Sequence, residues 1–252
     1  MTVTMGDNIT MTERSNKYSF AAGVLLLITC LSFAYDWLIE PLRAIACNYT
    51  DKNYFEYMKY SLTEGQYSRG EKAEAVLVVT LALLTIAVFR QNIKLFLAGV
   101  VLDLGLLVNE YLLFRERGVY PEFWTSYRTL GFVTTYVVPA LMILLFLAMG
   151  VTLILNKAFA KWICIAAIAV AAFGALLETV LCVGAYVSTA ETWHNMNLPY
   201  IFYSGRLNTF YITTGYTPVS YMVRAGIGVL VALWGFYRCK ANAQSVSRET
   251  AK

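Results

Sequence analysis

AEAVLVVTLALLTIAVF, then RQN, then IKLFLAGVVLDLGLLVNEYLL: residues 73–113 set two long apolar blocks on either side of three polar residues. A helix rises about 1.5 Å per residue, so about 20 apolar residues cross a hydrocarbon layer of about 30 Å. A membrane strand needs only about 9–11 residues of alternating character. These blocks are longer and apolar on every face, and in hydrocarbon a helix alone pairs every backbone N–H and C=O within one segment. The stretch therefore reads as two spanning helices joined by a tight turn.

The same pattern recurs outward along the chain. Six spans are predicted, at residues 18–38, 73–89, 93–113, 132–155, 162–187 and 219–236. Over all 252 residues, 58% are hydrophobic and 14% charged, against about 45–50% and about 25% in soluble domains. The predicted fold is an all-α integral membrane protein, a bundle of about six transmembrane helices. That balance excludes a soluble enzyme, a nucleic-acid reader and a disordered scaffold. The first span follows a polar lead and ends in Tyr35-Asp36-Trp37 rather than a small-residue cleavage site, so it reads as a retained anchor.

Lysine and arginine placement sets the orientation. One side collects Arg14, Lys17, Arg90, Lys94, Lys157, Lys161, Arg238, Lys240, Arg248 and Lys252 against Asp7, Glu13 and Glu249. The other side carries nine bases and nine acids. The bases of the first side sit in short turns and at helix ends, where the positive-inside bias acts. Both termini are accordingly expected in the cytoplasm, with residues 1–17 and 237–252 as tails, residues 18–236 as one transmembrane domain, and the plasma membrane as the location. The outer connections are residues 40–72, 114–131 and 188–218. The first and last are dense in tyrosine, phenylalanine and tryptophan, which suits segments lying along the headgroup layer or forming a lid.

The inventory of reactive groups excludes a good deal. His194 is the single histidine, so a bis-histidine haem or a histidine-rich metal site cannot be assembled within one chain. Cys30, Cys47, Cys164, Cys182 and Cys239 show no CxxC spacing. Cys239, between Arg238 and Lys240, has the setting of a palmitoylated cysteine, although an ordinary reduced thiol is the simpler reading. Asn48-Tyr49-Thr50 fits the N-glycosylation pattern on the outer side. There is no glycine-rich phosphate loop or other nucleotide motif, and no cofactor is implied. The expected partners are the lipid bilayer and other membrane subunits, with no nucleic acid.

The charges inside the spans carry the functional signal. An Asp or Arg at a helix centre costs about 2.5–3.5 kcal/mol on insertion scales. Asp103 lies near the midpoint of the third span, and Glu110 follows seven positions later on the same face. Glu178 lies in the outer half of the fifth span, and Arg224 near the outer start of the sixth. Arg224 is expected to pair with Glu178 or Glu110, because an unpaired buried charge is costly. Asp36, Glu110 and Arg224 are also close enough to the outer interface to snorkel; the short side chain of Asp103 is not. Pro139 should kink the fourth span, and Gly99 would allow another helix to approach closely near Asp103.

Asp103, Glu110, Glu178 and Arg224 thus make a candidate substrate or ion site for a small solute or cation permease, or for its substrate-binding component. The alternative is a non-catalytic accessory or assembly subunit of a larger membrane complex. An intramembrane enzyme ranks last, because Asp103 and Glu110 are about 10 Å apart along one helix.

Overall fold

The computed structural model describes residues 5–48, 50–63, 68–117, 132–157, 159–193 and 218–249. The described secondary structure is helical throughout. It comprises α1 (Met5–Ala46), α2 (Tyr54–Thr63), α3 (Ser68–Phe89), α4 (Ile93–Arg117), a π-helical turn (Val133–Val137), α5 (Val138–Ile154), α6 (Ala160–Trp193) and α7 (Pro218–Glu249). Each of the six apolar blocks is a helix. Two stretches, Met11–Tyr35 in α1 and Ala160–Leu177 in α6, are long and apolar enough to cross a membrane, and Ala75–Phe89 and Val138–Ile154 are shorter apolar helices.

The six long helices close into a ring. α1 packs on α3, α3 on α4, α4 on α5, α5 on α6, and α6 on α7, while α7 returns to α1 and also touches α5. Two aromatic contacts set the α4–α5 register: Phe96 with Phe146 (ring centroids 6.0 Å apart) and Tyr111 with Tyr136 (5.6 Å). Fully buried Trp234 of α7 meets Phe96 edge-on at 5.5 Å. Leu26, Leu77, Leu81, Ile143, Met149 and Ile227 fill the rest of the centre. Outward, the helices present apolar side chains to their surroundings, among them Ile28, Leu31, Val79, Val101, Leu144, Phe173 and Leu176.

The helices run beyond the expected spans. At 42 residues α1 is about 63 Å long, so most of the expected tail 1–17 and the start of the expected loop 40–72 are helical. That loop also contains α2, which packs on α1 and α3. α2 opens with a reciprocal cap: Asn53 Oδ1 accepts from the Glu56 N–H (3.0 Å), and the Asn53 N–H donates to Glu56 Oε2 (3.1 Å). At the other end of the chain, α7 extends through most of the expected tail 237–252. The expected connections 114–131 and 188–218 fall largely outside the described residues.

Two glycines set the closeness of approach. A Cβ at Gly99 would lie 2.6 Å from Leu84 Cδ2, so α3 and α4 meet there with nothing between them, as anticipated for a small residue beside Asp103. A Cβ at Gly235 would collide with Met149 Sδ and stand 3.2 Å from Cys164 Sγ, both fully buried. A Cβ at Gly105 meets nothing within 4 Å. Gly235→Val should therefore lower the thermal unfolding midpoint, at an overpacking cost of about 1–3 kcal/mol. Gly105→Val should leave it unchanged, and thermal unfolding in detergent measures both.

Candidate functional site

α4 has one inward stripe, made by Phe96, Gly99, Val100, Asp103, Leu106 and Leu107, and an outward one made by Val101, Leu102, Val108 and Leu112. Asp103 belongs to the inward stripe and is only 3% exposed. Interpolating between the Phe96–Phe146 and Tyr111–Tyr136 contacts sets it level with residues 139–144 of α5. That level begins at Pro139, immediately after the π-helical turn, in which the Val138 N–H donates to the Val133 carbonyl five residues back. A π turn is a rare local departure that occurs often at functional sites. Pro139, having no N–H, extends the irregularity by one residue. Two further buried polar residues, Thr134 and Tyr136, come from the turn itself.

The other candidate residues are placed only by their backbone. Glu110 continues the inward register of α4, Glu178 is on α6, and Arg224 is in the second turn of α7. Their side chains lie outside the described residues, and so does the expected pairing of Arg224 with Glu178 or Glu110. His194 and the aromatic run 194–217 also lie outside them. Among the described residues no three His, Cys, Asp or Glu side chains converge to hold a metal ion.

A second polar site is built at the opposite end of the ring, where the α3–α4 and α5–α6 turns lie. Both turns use one device. Gln91 and Asn156 take left-handed backbone angles (φ 50° each). Asn92 N–H then bonds the Ala87 carbonyl (2.8 Å) and Gln91 N–H the Val88 carbonyl (3.1 Å), while Lys157 N–H bonds the Thr152 carbonyl (3.0 Å) and Asn156 N–H the Leu153 carbonyl (3.3 Å). These are paired Schellman closures, which satisfy carbonyls that a helix end leaves open. Asn92 then caps α4, its Oδ1 accepting from the Leu95 N–H (3.1 Å).

α7 fastens both turns. Arg238 Nη1 donates to the Gln91 carbonyl (2.5 Å), and Asn242 Nδ2 donates to Asn156 Oδ1 (3.0 Å). α1 joins from the other side. Gln91 Nε2 donates to Asn16 Oδ1 (2.7 Å), the Ser19 hydroxyl donates to the Val88 carbonyl, and Tyr18 stacks on Tyr237 at 5.2 Å. Burial lowers the Arg238 guanidinium pKa from its ordinary value. Burial also raises the Cys239 thiol, while the Lys161 backbone N–H and charge pull it partly back. A buried thiol with a raised pKa is a poor nucleophile, so the structure favours the unmodified reading of Cys239.

The sequence marks this end by basic residues in short turns and at helix ends, without the bonds that tie them. The asparagines and glutamine at the turns were the available signal, since Asn tolerates left-handed backbone and Gln does so less readily.

No protein-family model, no characterised protein and no solved structure matches the chain. Function is therefore argued from these residues alone.

Asn156→Val should destabilise the fold more than Asn242→Leu. The first forces a β-branched residue into left-handed backbone, which costs about 1–2 kcal/mol, and also breaks the bond to Asn242. The second loses that bond, at about 0.5–1.5 kcal/mol per hydrogen bond, without backbone strain. Arg238→Ala should cost about 1.5–3 kcal/mol, as expected for a hydrogen bond from a charged donor. Chemical denaturation of the three variants in detergent ranks them.

Proposed function

We propose that the chain is a six-span integral membrane protein with both termini in the cytoplasm of a plasma-membrane protein, and that it carries a small cation or proton across the bilayer through Asp103. Support for the membrane comes from the outward faces of the ring. Apolar side chains as large as Phe173 and Leu176 are exposed on several helices, and large exposed apolar surface marks a face that meets lipid or another protein. α4 and α7 are spans under this reading despite their internal charges, because those charges serve the site.

One observation carries the transport reading: a carboxyl group, 3% exposed, on the inward stripe of α4. In such a setting a carboxylate is paired, protonated or beside water. Acids outnumber bases among the four candidates, Asp103, Glu110, Glu178 and Arg224, and this favours a positively charged passenger. The irregular backbone ends at Pro139, at the edge of the level of Asp103, where carbonyl oxygens could help replace a cation's hydration shell, as unwound segments do in transporters.

The accessory-subunit reading draws on a different observation. Around Asp103 the inward stripe is filled by Val100, Leu106 and Leu107, all buried. Asp103 would then be a structural hydrogen-bonding group, and the outward apolar faces would receive neighbouring subunits.

The two readings part on one substitution. Under transport, Asp103→Asn in reconstituted vesicles abolishes cation-dependent or proton-dependent flux, and the pH dependence of the wild type disappears with it. Unchanged flux in that variant ends the transport role of Asp103, and stable co-purification with other membrane subunits would then favour the accessory reading. Orientation has its own check in the free thiols. Cys47 is exposed, whereas Cys30, Cys164 and Cys239 are buried. In a Cys182→Ser background, a membrane-impermeant maleimide added to intact cells should label the protein and lose that labelling in Cys47→Ser; labelling that persists without Cys47 reverses or breaks the topology.

A further inference from the structure

A cavity of about 230 Å³ opens at the clamped end of the ring, lined among others by Thr152, Asn156, Lys157, Cys239, Asn242 and Ala243. We propose that it binds the phosphate of an anionic lipid headgroup from the cytoplasmic leaflet. The inference rests on the membrane reading above and adds a ligand site to it.

Three observations converge on that chemistry. The first is charge. Lys157 lines the cavity, and Lys161 acts electrostatically on Cys239 in its wall. Neither residues 154–177 nor residues 225–248 contain an aspartate or glutamate, and the nearest acids along these helices are Glu178 and Glu249. The second is donor geometry. The bond from Asn242 Nδ2 to Asn156 Oδ1 orients both amides at the cavity wall. The Asn156 amide has its own N–H groups besides that bond, and together with the three protons of the Lys157 ammonium they make a donor set suited to phosphate oxygens.

The third is level. Phe159 and Trp162, 54% and 63% exposed, stand at the start of α6 beside the cavity. The Lys161 ammonium lies 5.4 Å from the Trp162 ring centre and the Lys240 ammonium 4.6 Å from that of Phe236. Exposed aromatic rings interleaved with lysines mark the depth of the headgroup layer. A basic pocket between helices at that depth, on the cytoplasmic side, is a recurrent setting for anionic headgroups. A dissolved phosphate ester offers the same oxygens without acyl chains, and the apolar outer surface beside Phe159 and Trp162 is what favours the lipid.

The test uses the full chain in detergent and in nanodiscs. Native mass spectrometry should show phosphatidylglycerol retained over phosphatidylcholine by wild type. Lys157→Gln should retain it about tenfold less well, as for loss of one charge-assisted contact, and Lys157→Arg should keep most of the preference. Lys157 is exposed, so an unchanged unfolding midpoint in Lys157→Gln confirms that the fold is intact. Equal retention by wild type and Lys157→Gln overturns the site. Displacement of the lipid by inorganic phosphate at matching concentration overturns the lipid as occupant. Release of the protein from membranes by alkaline carbonate sinks the membrane reading itself, whereas a protein that stays embedded without lipid preference sinks only this proposal.

Discussion

The contact between α7 and α1 closes the ring, and it is the contact that chain order does not supply. Every other wall of the ring joins long helices consecutive in the chain, brought together by short turns or by the connections beyond α1, α4 and α6. α7 must instead return to the first helix from the far end of the sequence. It does so through Tyr237, stacked on Tyr18, while Trp234 meets Phe96 of α4 in the interior. Arg238 then reaches a backbone carbonyl 147 residues earlier. Because that carbonyl belongs to the left-handed residue of the α3–α4 turn, one guanidinium ties α7 to a hairpin. A lysine in its place would keep the charge but lose the planar fork of donors.

Five threonines within the apolar helices share one economy that Asp103 cannot use. Thr29, Thr80, Thr85, Thr152 and Thr179 each donate their hydroxyl to the carbonyl four residues back in their own helix, at 2.7–2.8 Å. A hydroxyl can therefore be carried into apolar surroundings with its bond already made. An ionised carboxylate has no proton to give a carbonyl, so its own helix cannot satisfy it in this way. It needs a donor from another element, water, or a proton of its own. This difference is why a buried aspartate weighs more in a functional argument than the buried threonines around it.

Much of the architecture was legible because hydrophobic block length is a long-range constraint written locally. The turns Arg90-Gln91-Asn92 and Asn156–Lys161 were placed by the ends of those blocks, and α3, α4 and α5 end within a few residues of the expected points. What escaped was of two kinds. Residues 237–249 carry alanine, lysine, arginine and glutamine without glycine or proline, good helix formers that carry the helix past the end of its apolar character. The clamp escaped for a different reason. Arg238 looks like any other basic residue after a span, and no local pattern announces that its partner is a backbone oxygen on a distant turn. At the candidate site, the burial of Asp103 was legible from its midspan position, while the π-helical turn beside it was not, since Pro139 alone signals a kink and not its form.

The two ends of the ring are built to different standards, which bears on how a carrier of this shape would work. At the turn end, two Schellman closures, an asparagine cap and four side-chain bonds from α1 and α7 tie the long helices together. Toward the other end, Asp103 lies level with a proline that follows a five-residue π turn, where the regular bonding of α5 is interrupted. Under the transport proposal, the clamped end serves as the fixed base of the bundle, and the interrupted bonding of α5 sits beside Asp103 rather than within the clamp.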